Sequence, residues 1–397
     1  MKEPRTGKLN PLRGLERLGQ SVWIDYIRRG MILSGELERL IDEDGVTGVT
    51  SNPSIFEKAI AGSDDYDNAI QVMALEGKNS TAMYETLAID DIQLAADMLR
   101  PGYERLDGAD GFVSLEVSPR LAHDSAGTIV EAQRLWNRVD RPNLMIKIPG
   151  TVEGLSAIRH LIAGGINVNV TLLFGLPRYR QVAEAFIAGL EERVSRRLPV
   201  RHVASVASFF LSRIDHLVDG LLDEKINAGG PAASAAVTLR GETAIASARL
   251  AYTVYRDLFG GERFRKYASR DARSQKLLWA STGVKNPAYD DLKYVEPLIG
   301  AATITTLPAE LLRAYRDHGT PRALLTEDAS AAHNVLERLA GLGVDLVPLT
   351  ARLEKEGIAK FDGALGRVLQ TIADRSGYGA GPRDVNESSR SGSRGHG

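Results

Sequence analysis

The sequence predicts an α/β fold, a single (β/α)8 TIM barrel with extra helices and a disordered C-terminal tail. Three observations lead there. Eight short, apolar, β-rich runs are spread along the 397 residues. Helical patterns separate most of them, which is the signature of βα units and a parallel sheet. The runs are too apolar for a sheet with one face in water, which favours a closed barrel buried on both faces. An open doubly wound sheet is the alternative, but no GxGxxG follows the first run.

The elements follow in order. SVWIDYI (21–27) opens the series, and SGELERLIDEDG reads as its helix. GVTGVTSNP (45–53) is the second run, and ETLAIDDIQLAADMLRPGYERL is a long helical pattern before the third, GFVSLEVSP (111–119). GTIVEAQRLWNRV precedes LMIKIPG (144–150), and VEGLSAIRHLIAGG precedes INVNVTLLF (166–174). LPRYRQVAEAFIAGLEERV leads to HVASVASFF (202–210). KLLWASTG (276–283) and AATITTLP (301–308) complete the eight. Residues 220–275 are long for one crossover and read as an insertion: NAGGPAASAA as a flexible loop, then GETAIASARLAYTVYRDLF as a helix. Residues 1–18 read as a lead-in helix or arm. The barrel is assigned to 1–377, and 378–397, polar and rich in Gly, Ser and Arg, to a disordered tail.

Composition excludes several function classes. Hydrophobic residues make up 43% of the chain, enough for a large core. The 49 basic and 51 acidic residues nearly balance, with no basic cluster interleaved with aromatics, so nucleic acid is not expected as a partner. The absence of cysteine removes disulfides, thiolate nucleophiles and Cys-ligated metal. The 7 histidines are scattered, without HExxH or HxH, so no metal site is expected. The N-terminus has charge but no apolar stretch, and no run reaches the ~18 apolar residues of a membrane span. A soluble, cytoplasmic protein without membrane contact is expected. No long heptad pattern is present, and monomer and homodimer both remain open.

The strands carry polar residues that a core built for stability would avoid, since each unpaired one costs about 1–3 kcal/mol. They are Asp25, Asn52, Glu116, Lys147, Asn169, Thr171, Ser208 and Ser281. Asn169 and Thr171 share parity, as do Ser208 and Phe210, so two polar groups from the fifth run can face one cavity. Structural explanations exist for single residues. Asn52 before Pro53 can cap a helix, Ser208 and Ser281 can be ordinary small strand residues, and Lys147 with Glu116 can be a buried ion pair. Taken together they fit a catalytic mouth better. An amine enclosed by apolar strands, with a second cation nearby, is pushed toward its neutral form and can attack a carbonyl. The resulting protonated imine is an electron sink that allows C–C cleavage without a metal or other cofactor. Asp25 and Glu116 are the carboxylates available as base and proton relay, and Asn and Ser can hold substrate hydroxyls.

At these residues the sequence resembles transaldolase. GVTSNPSIFEKAI is similar to the family's Asn-Pro motif, LMIKIPGTVEGLSAI to its Schiff-base lysine motif and GINVNVTLLF to its third motif, in the family's order and spacing. The likeness covers about residues 15–370, and ASTGVKNPAYDD and the length look most like the longer bacterial subfamily. The resemblance implies that Lys147 forms the Schiff base with the C2 carbonyl of a ketose phosphate. It implies that Asp25 takes the C4 hydroxyl proton, and that Glu116, Thr171 and a water carry protons. Asn52 and Asn169 would bind hydroxyls of the retained dihydroxyacetone unit, and Ser208, Phe210 and Ser281 would shape the pocket. The implied partners are phosphorylated sugars. The unit would pass from sedoheptulose 7-phosphate to glyceraldehyde 3-phosphate, giving erythrose 4-phosphate and fructose 6-phosphate. Arg213 in FFLSRID matches the family's phosphate arginine. Shorter members carry a second arginine just after the seventh strand. Here that place reads STGVKN, with two extra residues and Lys285, a point charge in place of a bidentate fork. Two other readings remain: an aldolase that releases free dihydroxyacetone, and a non-catalytic phosphosugar-binding barrel. Aldolases of this family look shorter and carry a neutral residue at the relay position, which Glu116 argues against.

Overall fold

The computed structural model describes residues 10–326 and 329–377. The tail assigned to 378–397 and the first half of the expected N-terminal arm, residues 1–9, lie outside them, and a helix covers Pro11–Arg17. Eight strands run β1 Gln20–Ile24, β2 Val46–Thr50, β3 Phe112–Glu116 and β4 Leu144–Pro149, then β5 Val168–Leu173, β6 Ser205–Phe210, β7 Lys276–Ala280 and β8 Thr303–Leu307. They close into a barrel in chain order, every neighbouring pair parallel, with β8 returning to β1. Each strand falls within one of the eight apolar runs, except that β1 begins one residue earlier, at Gln20. The runs overreach at their C-terminal ends: Asp25, Asn52 and Ser281 lie just beyond β1, β2 and β7. That is the end of a parallel barrel where loops build sites.

Alternation sends every second side chain inward. Near the N-terminal ends, Trp23, Phe112, Met145, Val206 and Ile304 meet as an apolar floor. Trp23 is fully buried, and its indole N–H donates to Asp110 Oδ1 at 2.9 Å. Its ring lies on Gly48 of β2, where a Cβ would sit 2.4 Å from the indole. No rotamer change of so large and enclosed a ring relieves that. Gly48→Ala is therefore expected to cost about 1–3 kcal/mol, as overpacked cores do. A lowered thermal midpoint with the same far-UV signal would show it.

The insertion differs from expectation in one place. NAGGPAASAA is not a loop throughout, because a helix covers Pro231–Val237. Proline in the first turn is preorganised for a helix start, and the alanines after it have the highest helix propensity. The expected helix follows at Thr243–Gly260. Two buried carboxylates tie the insertion to the barrel. Asp215, on helix Ser212–Ala228, accepts from Ala244 N at 2.7 Å and from the Tyr294 hydroxyl at 2.9 Å. Asp219 accepts from Gly241 N at 2.8 Å and from the Tyr289 hydroxyl at 2.7 Å. One helix thereby fixes both the insertion and the loop after β7. Burial pushes Asp215 up to about 6.

A 31-residue helix, Leu346–Ser376, ends the described chain and packs along helix Pro53–Ala61. It passes over β5, where the register with β6 shifts and Leu172 takes a left-handed φ of 61°. Such a conformation in a bulky residue costs about 1–3 kcal/mol and persists only where its surroundings enforce it. Here the cover is Gly357, where a Cβ would lie 2.8 Å from Leu172 Cδ2.

Candidate active site

Lys147 projects from β4 into the barrel and is 3% exposed. Its Nζ donates to the Ser51 carbonyl at 3.2 Å and to Thr50 Oγ1 at 3.3 Å. Glu116 Oε2 stands 3.8 Å away, within ion-pair range but too far for a hydrogen bond. The pairing follows from the ladder, in which Glu116 of β3 is the register partner of Lys147. Among the described residues, neither carboxylate oxygen of Glu116 has a hydrogen-bond partner, nor has the buried hydroxyl of Thr171 on β5. Unpaired buried oxygens are rare in folded proteins and ask for an explanation. Burial raises Glu116 to about 7 against the opposing charge of Lys147, and Asp25 pushes the same way. Tyr84, on helix Ser80–Arg105, is in turn raised by its own burial and by Glu116.

Lys147 opens onto a cavity of about 680 Å3 at the C-terminal mouth. Eight of the eleven residues picked from the sequence line it: Asp25, Asn52, Lys147, Ser208, Phe210, Arg213, Ser281 and Lys285. Glu116, Thr171 and Asn169 are not on its wall. The side chains of Glu116 and Asn169 are buried, Glu116 beside Lys147 and Asn169 within a hydrogen-bonded row. Asn169 Nδ2 donates to Ser114 Oγ at 3.0 Å, and Ser208 Oγ donates to Asn169 Oδ1 at 2.7 Å. Asn169 thus aims the Ser208 hydroxyl.

Asn52 is a helix cap, as its place before Pro53 allows: its Oδ1 accepts from Ile55 N at 3.0 Å. That use leaves its amide N–H groups for the cavity. Ser281 holds a left-handed φ of 55°, its carbonyl accepting from Ser212 N at 3.1 Å and from Ser212 Oγ at 2.7 Å.

Asp25 is raised by burial, opposed in order by the charges of Lys147, Lys58, Arg213 and Lys285. The loop that follows it is pinned by Asp91, which is fully buried. Asp91 accepts from Arg29 Nε at 2.7 Å and from the Tyr66 hydroxyl at 2.8 Å.

Arg213 lies with its guanidinium carbon 5.5 Å from the Phe210 ring centroid, in cation–π range. Burial lowers its pKa, and burial and then Arg213 lower that of Lys285. The sequence reading missed Thr50 and Ser114, which share parity with Asn52 and Glu116, and Ser51, which meets Lys147 through its backbone carbonyl. It also missed Lys58 and Lys360, which line the same cavity from two helices. Among the described residues, no group of three His, Asp or Glu is placed to hold a metal ion, and no helix is long and apolar enough to cross a membrane.

The chain matches the family model described as Transaldolase/Fructose-6-phosphate aldolase over residues 22–372. It is 47% identical to a transaldolase of Thiobacillus denitrificans over 364 residues, covering 92% of this chain and 100% of the relative. A Thermobifida fusca transaldolase is also 47% identical, over 371 residues, 92% of this chain and 99% of the relative. One from Saccharopolyspora erythraea is 44% identical over 365 residues, covering 92% and 97%. A lysine on β4 beside a neutral-range carboxylate, within this matched span, completes the assignment: the chain belongs to the transaldolase/fructose-6-phosphate aldolase family.

Proposed function

We propose that this chain is a transaldolase that moves a three-carbon ketol unit between phosphorylated sugars through an imine on Lys147. The observation that carries this is the placement of the Lys147 amine. It is buried on β4, 3.8 Å from a carboxylate that titrates near neutrality, and opens onto a cavity that also holds Asp25. A group titrating at about 7 can take up and return protons at cellular pH, which a carboxylate at its ordinary value does poorly.

The Lys147 amine adds to C2 of the ketose phosphate and, after loss of water, leaves an iminium. Glu116 supplies and recovers the protons of that dehydration, with the Thr171 hydroxyl as its neighbour in the relay. Asp25 takes the C4 hydroxyl proton. The C3–C4 bond breaks, its electron pair enters the iminium, and the aldose phosphate departs. The enamine that remains attacks the aldehyde carbon of a second aldose phosphate. Asp25 returns its proton to the new alkoxide, and water releases the product ketose. Asn52 and Ser208, the latter held by Asn169, grip hydroxyls of the retained unit. Phe210 and Ser281 bound it, while Arg213 and Lys285 face the phosphate. Charged sugar phosphates do not diffuse through a bilayer, which supports a cytoplasmic location for the proposed activity.

Transfer and simple cleavage are separated by their products. With fructose 6-phosphate and erythrose 4-phosphate supplied, sedoheptulose 7-phosphate and glyceraldehyde 3-phosphate are expected in equal amounts. Free dihydroxyacetone formed in step with fructose 6-phosphate loss, without the heptulose, would make the chain an aldolase. No turnover of either kind would leave only the binding barrel.

A further inference from the structure

We propose that Lys58 and Lys360 join Arg213 and Lys285 around the substrate phosphate, so that the C-terminal helix is itself a specificity determinant. The inference rests on the phosphosugar reading above and adds two residues that the sequence motifs do not assign.

All four cations line one cavity, and among the described residues none has an ion-pair partner. Neighbouring charges on the same helices are neutralised. Glu57, adjacent to Lys58, is held by Arg367 and so does not serve Lys58. Glu356 pairs with Arg352, Glu354 with Arg178 and Asp362 with Arg120. On the C-terminal helix, Lys355 and Lys360 have no ion-pair partner among the described residues, and of the two only Lys360 lines the cavity.

Their proximity is unfavourable for the protein alone. Besides burial, the charges acting most strongly on Lys360 are Arg213, Lys285, Lys58 and Arg367, all positive. Like charges held together in a partly desolvated cleft repel by more than they would in water. An anion reverses the sign of that interaction. A phosphate monoester, carrying about −1.5 to −2 at pH 7, is the part of the proposed substrate with the charge to do so.

The helix is built to reach this place. Gly357 lies one turn before Lys360, and its missing side chain lets the helix rest on Leu172 and beside Arg213, whose Nη1 would be 3.6 Å from a Cβ there. Phe361, next to Lys360, is buried at the cavity edge. Lys360 therefore comes to the mouth on a rigid element that is 31 residues long, not on a loop.

The test replaces Lys58 and Lys360, both exposed, singly and together with glutamine. The KM for fructose 6-phosphate is expected to rise about 10-fold per lysine, the scale of a lost charge-assisted hydrogen bond. Inorganic phosphate should weaken as an inhibitor by a similar factor. The loss on fructose 6-phosphate should exceed the loss on unphosphorylated fructose. Equal losses on both sugars, or an unchanged KM in the double variant with an unchanged melting temperature, would overturn the proposal. Failure of the wild-type protein to trap fructose 6-phosphate on reduction would instead remove the reading on which it rests.

Discussion

Lys147→Met is expected to abolish turnover, with a loss of at least about 10^4-fold, while the protein stays folded. The magnitude follows from the role. A covalent nucleophile has no substitute in the cavity, and removing one typically costs as much as removing the whole catalytic set. Folding is expected to survive because methionine has nearly the volume of the lysine stem and needs no partner. Removing one partner of a buried ion pair destabilises where the other charge is left uncompensated, and here the other partner can take up a proton. The substitution does strand Glu116. Lys147 is the charge that holds the pKa of this carboxyl down, so its loss raises it further and Glu116 becomes neutral. The steady-state rate and the thermal midpoint together check the expectation. Substantial residual turnover in a folded variant would take Lys147 out of the chemistry.

The acid limb of the kcat/KM profile is expected near pH 7, not near the ordinary carboxylate value, because Glu116 in the free protein is raised to about 7. Below that pH the rate should fall tenfold per unit as the relay loses its ionised form. Glu116→Gln should remove this limb and lower kcat by about 10^2 to 10^4-fold, the usual worth of a positioned acid–base group. Stability should move in the opposite sense to activity. The folded-state pKa of Glu116 exceeds its unfolded value of 4.5, so the native state binds the proton more tightly across that window. Its contribution to stability is therefore greatest below about pH 4.5 and declines as pH rises to 7, on the order of 3 kcal/mol in all. A profile flat down to pH 5, with no difference in the Gln variant, would remove Glu116 from the relay.

The barrel was readable because each strand is a short, largely apolar run closed by a polar or Pro/Gly stop, and helical periods intervene. Across β5 and β6, Asn169 and Ser208 meet through a hydrogen bond, but Asn169 and Thr171, expected to face the cavity together, are not on its wall. Depth was not readable. Alternation says which face a side chain takes but not how far from the mouth it sits, so Asn169 was expected on the wall and lies in the row that supports Ser208. Asn52 was read both as helix cap and as ligand, and its Oδ1 takes the capping role while the residue still lines the cavity. Pairwise distance was beyond the sequence as well. Lys58 lies on a short amphipathic helix and Lys360 some 300 residues later, and each alone looks like a solvated surface lysine. Only the packing of helix Leu346–Ser376 along Pro53–Ala61 brings them to one opening. The Pro231–Val237 helix was hidden by the glycines before it, which read as a loop although the alanines after the proline favour a helix.

The central claim is a covalent bond between one amine and a sugar carbonyl, and reductive trapping tests it most directly. The wild-type protein is incubated with fructose 6-phosphate, treated with borohydride, digested and mapped by mass. The expected result is a single stoichiometric adduct on the peptide that contains Lys147, absent without sugar and absent in Lys147→Met. An adduct confined to Lys58, Lys285 or Lys360, or no adduct in protein that is turning over substrate, would contradict it.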